Sequence, residues 1–598
     1  METDHRPNPH GVDIRRDGTI CFRLWAPEVD RVRLEISEHA HLRQMTATGD
    51  GWHELITDQA MIGSRYRFVL PDGLRVPDPA SRFQPEDVHG PSEVIDPSRW
   101  VWDDAHWRGR PWHESVVYEL HVGAFTPEGT FSGAIAKLDH LVDLGVTAIE
   151  LMPVGDFPGR WNWGYDSVLP YAPDSSYGRP EDLKALVEAA HARGLMILLD
   201  VVYNHFGPDG NYLPVYAPQF FTARHRTPWG AAINFDGPCS GAVREFVIQN
   251  AIYWISQFHL DGLRLDAVHA ILDDSPKHIL QELAERVRSC VPHRQVHLVL
   301  ENEENEPRWL EGLYTAQWND DVHHVLHTAA TGESQAYYEE YRGDTGKMGR
   351  ALAEGFVFQG EMMRYRGRPR GGASRHLPPS AFVAFLQNHD QVGNRAFGDR
   401  LGPGVAPEVL RATAACYLLL PEIPMLFMGE EWNASQPFPF FCDFPAHLAD
   451  AVRQGRRDEF ARFPEFHDPE KRALIPDPQQ EETFRSAKLR WEELTDSTHH
   501  SWLDWYRRIL AARRQSVQSL IPRIRRGGEF MVLGEGALLV TWQLEPSGQL
   551  FLAANLSDAR VVAPLVAAGA TVKWQEGHFT PNDGRLSPWS VLWAVKEP

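Results

Sequence analysis

The chain has 598 residues, more than one hydrophobic core usually serves, so we expect about three domains. Its formal net charge of -22 disfavours nucleic acid and anionic membranes as partners and favours a neutral ligand. No apolar run approaches the roughly 20 residues of a membrane span, and the polar start lacks a secretory signal, so we expect a soluble, cytoplasmic protein. The five cysteines are scattered without a Cys-x-x-Cys pair, which argues against a disulfide framework and a zinc site.

The first 95 residues are predicted to form a β-sandwich. Residues 20–36 alternate between apolar and polar positions around a turn at 26–28, which predicts two strands. A further alternating run at 66–70 ends in a Pro-Asp-Gly turn. Residues 96–112, which are rich in proline and tryptophan, are predicted to be a linker.

Residues 113–525 are predicted to form a (β/α)8 barrel, because short apolar strands alternate with amphipathic helices such as 180–193 and 243–258. The segment 431–500 is too long for one loop and is expected to elaborate the barrel. The eight predicted strands are 116–122, 148–153, 196–202, 262–266, 297–300, 315–318, 382–386 and 424–428.

A C-terminal antiparallel β-domain is predicted for residues 526–598. It follows a helix predicted at 502–514, after which the apolar and polar positions return to strand-like patterns. The predicted strand runs are 531–533, 537–542, 550–554 and 590–595.

Carboxylates end four of the predicted barrel strands, where the catalytic groups of such barrels stand. They are Asp200, Asp266, Glu301 and Asp390. Carboxylates that share one cavity repel and raise one another's pKa, a cost expected where one acid must be protonated and another ionised. Glycoside hydrolysis has that requirement, since one carboxyl group protonates the leaving oxygen while another attacks or stabilises the sugar carbon.

The segments that carry these carboxylates resemble the four motif regions of the α-amylase superfamily, glycoside hydrolase family 13. They read Asp-Val-Val-Tyr-Asn-His at 200–205, Gly-Leu-Arg-Leu-Asp-Ala at 262–267, Glu301 after the fifth strand, and Asn-His-Asp at 388–390. The resemblance covers essentially the whole chain. It implies a barrel enzyme that cleaves α-glucans with retention of configuration.

The resemblance also implies residue roles. Asp266 would be the nucleophile, Glu301 the general acid/base, and Asp390 the carboxylate that stabilises the transition state. Asp200 and Asn204 would have a structural role near the site, and neither a cofactor nor a metal is predicted. The expected substrate-binding residues are Arg264, His205, His269, His389, Tyr165 and Trp163.

Four further segments, at 118–131, 317–324, 429–432 and 475–479, resemble the trehalose-releasing hydrolases of this superfamily. This resemblance implies that water cleaves the α-1,4 bond next to the terminal trehalose unit of malto-oligosyltrehalose. The enzyme would then work in a pathway with an isomerase that forms this substrate. Trp318, Asn319 and Asp321 are the predicted contacts that recognise the bend of trehalose.

Two alternatives stay open at the level of sequence. A glycogen branching enzyme would pass the same intermediate to a sugar 6-hydroxyl, although such enzymes usually read Ala-Glu-Asp-Ser-Thr around the acid. Here residues 301–307 read Glu-Asn-Glu-Glu-Asn-Glu-Pro, which also departs from the Glu-Ser/Asn-Asp-Leu-Asn-Asp-Pro of the trehalose-releasing group. A non-catalytic glucan-binding protein would show loss of a catalytic acid, and all three acids are present.

Overall fold

A closed barrel of eight parallel strands forms the centre of the protein. The computed structural model describes residues 9–37, 41–461, 463, 466–563, 569–580 and 584–597. The first barrel strand pairs with both the second and the eighth, which closes the sheet. All eight strand predictions are confirmed to within two residues at each end, and the strands are Val117–Leu120, Ala148–Leu151, Met196–Val201, Gly262–Leu265, His297–Leu300, Ala316–Trp318, Phe382–Phe385 and Ile423–Phe427.

Helices surround the barrel and pack on it through apolar faces. In the helix Pro180–His191 the buried apolar residues include Leu183, Leu186, Val187 and Ala190, a spacing that places them on one side. None of the described helices combines the length and apolar character that crossing a bilayer requires. Helices up to the eighth strand are Val122–Phe125, Phe131–Ile135, Leu138–Leu144, Pro180–His191, Leu213–Tyr216, Ser240–Gln257, Ile279–Cys290, Asp320–Thr331, Thr345–Glu354, His389–Gly393 and Pro407–Leu418.

The interior of the barrel has an apolar layer below a charged one. Because side chains alternate along a strand, the residue two positions after an inward apolar residue also points inward. Val117 is thus followed by Glu119, Ala148 by Glu150, and a third inward carboxylate, Asp200, stands on the next strand. The apolar layer consists of Val117, Ala148, Met196, Leu198, Val299, Ala316, Trp318, Val383, Phe385, Ile423 and Met425.

Two antiparallel sheets precede the barrel and confirm the predicted β-sandwich. The ring of Phe22 in one sheet contacts the ring of Tyr66 in the other at 4.8 Å between centroids. One sheet contains Gly11–Ile14, Ile20–Trp25, Trp52–Thr57 and Thr46–Gly49, in that order. The other contains Arg43–Gln44, Arg33–Ile36, Arg65–Val69, Arg75–Val76 and Ser92–Glu93.

The predicted C-terminal antiparallel sheet is confirmed, with one strand more than the sequence indicated. Thr571–Glu576 is mostly exposed and has few apolar residues, so its pattern is weak. The five-stranded sheet has the order Glu529–Gly534, Ala537–Gln543, Gln549–Asn555, Ser590–Lys596 and Thr571–Glu576. A smaller sheet contains Val561–Val562, Arg585–Leu586 and Phe579–Thr580. The domain boundaries at residues 95, 112 and 525 stay predictions.

The segment 431–500 elaborates the barrel with helices Ala446–Ala461, Pro469–Ala473 and Glu481–Ser486, and the helix Ser497–Ser516 follows it. Arg456 from the first of these helices donates hydrogen bonds to the carbonyls of Gly393 and Arg395, at 2.7 and 3.0 Å. The elaboration therefore holds the short helix that carries Asp390.

All five cysteines are free thiols. Cys21, Cys416 and Cys442 are buried, whereas Cys239 is exposed and Cys290 is partly buried. Burial raises the pKa of Cys21 to about 12 and that of Cys290 to about 11, so these two thiols are protonated at neutral pH.

Arg513 fastens the helix Ser497–Ser516 to the barrel. Its buried guanidinium donates to the backbone carbonyls of Leu418, Leu420 and Glu422, at 3.0, 2.5 and 2.6 Å. Arg513→Met keeps much of the side-chain stem but leaves three buried carbonyls without this donor. We expect a loss on the order of 3 kcal/mol in the free energy of unfolding.

Thermal unfolding followed by circular dichroism measures this effect as a lower apparent Tm. Arg514, the next residue, is exposed, so Arg514→Met is the matched control and should leave the apparent Tm nearly unchanged. Equal effects of the two substitutions would contradict the assigned role of Arg513.

Candidate active site

Arg264 lies at the centre of the carboxylates that end the barrel strands. Its guanidinium is fully buried, and Nη1 donates to Asp266 Oδ1 at 2.8 Å and to Asp200 Oδ2 at 2.7 Å. Nη2 is 3.8 Å from Glu301 Oε2. One cation thus brings together carboxylates from the third, fourth and fifth strands.

Asp266 is held at both carboxylate oxygens. Arg264 binds Oδ1, while the side-chain amide of Asn204 donates to Oδ2 at 2.7 Å and to the Asp266 carbonyl at 2.9 Å. An ionised carboxylate only accepts hydrogen bonds, and donors on both oxygens stabilise that form. Asp266 is therefore oriented as an anion at the barrel mouth.

Glu301 lies against the backbone that follows Asp266. The N–H of Ala267 donates to Glu301 Oε2 at 2.5 Å, and Ala267 itself has a left-handed φ of 41°. Burial raises the pKa of Glu301 well above its usual range, and the charge of Asp266 adds to this, while Arg264 acts in the opposite direction. Glu301 thus favours the protonated form that a general acid requires.

Asp390 is the most open of the three acids, with 42% of its side chain exposed. Its Oδ1 accepts a hydrogen bond from the Asn394 amide at 3.1 Å and lies 3.4 Å from His389 Nε2. The ring of Tyr165 stacks on that of His389 at 5.0 Å, and its hydroxyl donates to Asp200 Oδ2 at 2.6 Å. Tyr165 and His389 therefore form one wall beside the acids.

The other expected substrate contacts differ in exposure. Trp163 is buried, stacks on Phe438 at 5.4 Å and donates to the Pro439 carbonyl, so it supports the wall from behind. His205 is partly buried, with its ring covered by the half-exposed ring of Trp229 at 4.8 Å.

His269 lies beside the acid loop. It is partly buried and its Nδ1 accepts a long hydrogen bond, 3.4 Å, from the N–H of Glu303. Burial lowers the pKa of His269, so the ring is neutral at neutral pH. The structure thus places it against Glu303, two residues after Glu301.

The structure does not bring Trp318, Asn319 and Asp321 to the open mouth. Trp318 is 1% exposed within the barrel, with the Arg264 guanidinium 4.1 Å above its ring. Asn319 is buried and donates to the Gly355 carbonyl at 3.0 Å. Correcting the sequence expectation, these side chains support the site from within the protein and offer no free surface to a sugar.

Asp321 is buried for a different reason. Its carboxylate binds the Arg370 guanidinium at 2.9 Å and accepts hydrogen bonds from Tyr341, Asn305 and the N–H of Val357. All of these contacts lie behind the mouth. Asp321 lies in the first turn of the helix that follows the sixth strand, and contacts with residues distant in sequence hold its carboxylate inside the protein.

Three residues near the acids were not found from the sequence. Asp320, the first residue of the helix after the sixth strand, raises the pKa of Glu301 through its charge, and burial raises its own pKa to about 7. Glu119 binds His389 from the first strand. Trp229 stands on the hairpin after the third strand and is 50% exposed. The alternation of side chains along the first strand was a usable signal for Glu119, because it places Glu119 on the same inward face as Val117.

A cavity of about 430 Å³ opens beside Asp390. Tyr337, Tyr365, Gln391 and Phe463 contribute to its lining, and this volume is within the range of small-ligand pockets. Aromatic faces next to amide and carboxylate groups suit sugars, whose rings combine apolar C–H faces with hydroxyls.

One group in the described part of the chain has metal-ligand geometry, formed by His225, Asp236 and Asp274 within 4.8 Å. Arg224 pairs with both carboxylates, at 3.4 Å to Asp236 and 2.6 Å to Asp274. Arg224 thus gives both carboxylates an ion-pair partner, and the expectation of no metal stays a prediction.

Family models match two parts of the chain. The model of the α-amylase catalytic domain matches residues 80–215, and a domain of unknown function, DUF3459, matches residues 525–593. The first match includes the barrel strands up to Asp200, and the second includes the C-terminal sheet.

The relatives that match over most of the chain have the same name. The chain is 40% identical over 564 residues to a malto-oligosyltrehalose trehalohydrolase of Saccharolobus solfataricus, covering 92% of this chain and 96% of the relative. It is 42% identical over 570 residues to that of Deinococcus radiodurans, covering 93% and 90%. A crystal structure described as a candidate alpha amylase of Salmonella typhimurium has a TM-score of 0.94 and 44% identity, covering 99% of this chain and all of that one.

The raised pKa of Glu301 has a consequence for stability. In the unfolded chain this carboxyl ionises near pH 4.5, whereas in the folded protein it keeps its proton to a higher pH. Folding stability of the wild type therefore falls as the pH rises from about 4.5 to the folded pKa. Glu301→Gln does not titrate, so its apparent Tm should exceed that of the wild type by a margin that grows through this window.

Glu304 supplies a control of opposite sign. Burial alone would raise its pKa, but Arg368 and Arg366 lower it below the usual value. Glu304→Gln should therefore lose stability relative to the wild type as the pH rises through the range where this carboxyl ionises. Apparent Tm values that differ by a pH-independent amount for Glu301→Gln would contradict the assigned proton on Glu301.

Proposed function

Because the chain belongs to the malto-oligosyltrehalose trehalohydrolases of the α-amylase superfamily, we propose that Asp266, Glu301 and Asp390 release trehalose by a retaining mechanism. The protein is a glycoside hydrolase that cleaves the α-1,4 bond next to the terminal trehalose unit of malto-oligosyltrehalose. This proposal rests on the contrast between two neighbouring carboxyl groups. Asp266 accepts hydrogen bonds from two donors, whereas the pKa of Glu301 is raised so that it can act as the acid.

In the first step, a carboxylate oxygen of Asp266 attacks the anomeric carbon of the glucose that precedes the trehalose unit. Glu301 gives its proton to the glycosidic oxygen as the bond between this oxygen and the anomeric carbon breaks. Trehalose leaves with the proton, and the malto-oligosaccharide is joined to Asp266 as an ester. Arg264 helps to orient the attacking carboxylate for this step.

In the second step, water replaces trehalose. Glu301, now ionised, takes a proton from the water. The oxygen of the water bonds to the anomeric carbon as the ester bond to Asp266 breaks. The malto-oligosaccharide leaves with its original configuration, and both carboxyl groups return to their starting states. In retaining enzymes the two catalytic carboxyl groups are only about 5 Å apart. The hydrogen bond from the Ala267 N–H, next to Asp266, to Glu301 supports a retaining mechanism, because it brings the two carboxyl groups close together.

Sugar hydroxyls at the reacting unit are assigned to Asp390 and His389, because Asp390 is open to solvent and His389 Nε2 faces the same space. Tyr165, stacked on His389, supplies an aromatic face. The cavity beside Asp390 accommodates further sugar units of the substrate. A cytoplasmic location and a pathway with an isomerase that forms the substrate stay predictions.

Product analysis tests the function directly. Purified protein is incubated with malto-oligosyltrehalose and, separately, with a plain malto-oligosaccharide of equal length, and the products are separated by chromatography. We expect trehalose from the first substrate and much slower cleavage of the second. Asp266→Asn should lower kcat by about 10²-fold or more, since the substitution removes a group that acts in the transition state.

A branching enzyme gives a different result in the same assay. It would form new α-1,6 linkages from amylose and release no trehalose. That result, or wild-type kcat in Asp266→Asn, would contradict the proposal.

Trp229 is proposed as a sugar-stacking residue that contributes to selectivity for the trehalose end. Its ring is half-exposed and lies parallel to His205, within 9°, which fixes one aromatic face beside the acids. Trp229→Ala should raise KM for malto-oligosyltrehalose about fivefold, since an aromatic contact contributes roughly 1 kcal/mol, and should change kcat little.

Trp229→Phe keeps an aromatic face and should restore most of the affinity. Initial-rate kinetics on both substrates measure the effect. A KM unchanged in Trp229→Ala would show that the ring does not contact the substrate.

A further inference from the structure

Glu119 makes a two-point contact with His389 inside the barrel. Its Oε2 accepts a hydrogen bond from the His389 backbone N–H at 2.9 Å, and its Oε1 lies 2.5 Å from His389 Nδ1. Both side chains are about 1% exposed. The contact joins the first barrel strand to the short helix that follows the seventh, and only the eighth strand lies between these two strands.

This contact fixes the orientation of the imidazole ring. With Nδ1 bound to Glu119, Nε2 points to the opposite side, where Asp390 Oδ1 lies 3.4 Å away. Tyr165 covers one face of the ring at 5.0 Å, and Trp163 meets it edge-on at 5.5 Å. The ring is therefore held in one orientation, with Nδ1 at Glu119 and Nε2 at the barrel mouth.

Carboxylates surround His389 from both sides. Burial alone would lower its pKa, but the charges of Asp390 and Glu119 outweigh burial and raise it to about 9. Arg264 and His121 act against them. The groups that face the ring are Glu119 from the first strand, His121 after it, Glu150 from the second, Tyr165 and Trp163 from the following loop, Asp200 from the third, Arg264 from the fourth, Trp318 from the sixth, and Asp390.

We propose that Glu119 is a positioning residue that keeps His389 doubly protonated and directs its Nε2–H toward Asp390 and the hydroxyls of the reacting sugar. This inference rests on the function proposed for the site. A hydrogen bond from a cation is roughly twice as strong as one from a neutral ring. Glu119 therefore strengthens the hydrogen bonds of His389 to the substrate without contacting the substrate itself.

Glu150 provides the contrast on the neighbouring strand. Burial, together with the charges of Glu119 and Asp200, raises its pKa well above the usual range, so this carboxyl is neutral. Its Oε1 has no hydrogen-bond partner among the described residues. Of these two buried glutamates, which pair with each other in the register of the barrel, only Glu119 holds His389.

The first measurement is the titration of His389 in the wild type. Histidine-labelled protein is followed by NMR from pH 5 to 10, and the His389 signals are identified by their loss in His389→Gln. We expect a midpoint near pH 9. A His389 that is neutral at pH 7 in the folded wild type would overturn the inference without any Glu119 variant.

The second measurement separates charge from shape. In Glu119→Gln the amide accepts from the His389 backbone N–H and donates to Nδ1, so the ring orientation is kept while the negative charge is lost. The His389 midpoint should fall by at least about one pH unit, because the nearest stabilising charge is gone. We expect kcat for trehalose release to fall about tenfold, and the high-pH limb of the rate profile to move to lower pH.

Glu150→Gln is the matched control. It replaces a neutral carboxyl with a neutral amide of the same shape, so the His389 midpoint and kcat should stay close to wild type. Circular dichroism establishes that both variants fold. Equal midpoints in Glu119→Gln and wild type would overturn the inference, since a merely structural glutamate would not alter the titration of His389.

The two proposals fail in different ways. Wild-type protein that releases no trehalose would overturn the function, whatever the His389 midpoint. Normal trehalose release with a His389 midpoint that does not respond to Glu119→Gln would overturn the role of Glu119 alone.

Discussion

The buried guanidinium of Arg264 is the constraint on which the site depends. A cation in the interior of a barrel is costly unless its donors meet anions, and here one nitrogen meets both Asp200 and Asp266. The charges of these carboxylates outweigh burial and raise the pKa of Arg264 well above its usual value. Because Arg264 is enclosed and binds Asp266, it fixes the orientation of this proposed nucleophile, and the other groups are arranged around the pair.

The carboxyl groups differ in their distance from Arg264. Asp266 receives a full hydrogen bond from the guanidinium, whereas Glu301 is 3.8 Å from the nearest nitrogen and is largely buried. Asp390, further out, relies on His389, which in turn is held by Glu119. Similar side chains thus have different surroundings, which differ in burial, in hydrogen-bond donors and in distance from Arg264.

The barrel, both β-regions and the grouping of carboxylates at the mouth follow from the sequence, because apolar strands followed by carboxylates leave a local pattern; the catalytic roles of the three acids stay a proposal. The substrate-recognition surface does not. Trp318 follows Ala316 on the inward face of the sixth strand, Asn319 donates to the Gly355 carbonyl, and Asp321 binds Arg370 behind the mouth. Trp229 lies on a hairpin whose position over the mouth depends on contacts distant in sequence. The period of two in the sixth strand was a usable signal for Trp318, whereas the places of Asn319, Asp321 and Trp229 depend on contacts distant in sequence.

The most direct test of the account is to trap the ester on Asp266. Glu301→Gln, which retains the nucleophile but lacks the acid, is incubated with α-maltosyl fluoride, whose leaving group needs no proton, and the digested protein is examined by peptide mass spectrometry. The account predicts a maltosyl group on the peptide that contains Asp266, at that residue. A maltosyl group on another carboxylate, or hydrolysis that inverts the anomeric configuration without any adduct, would contradict it.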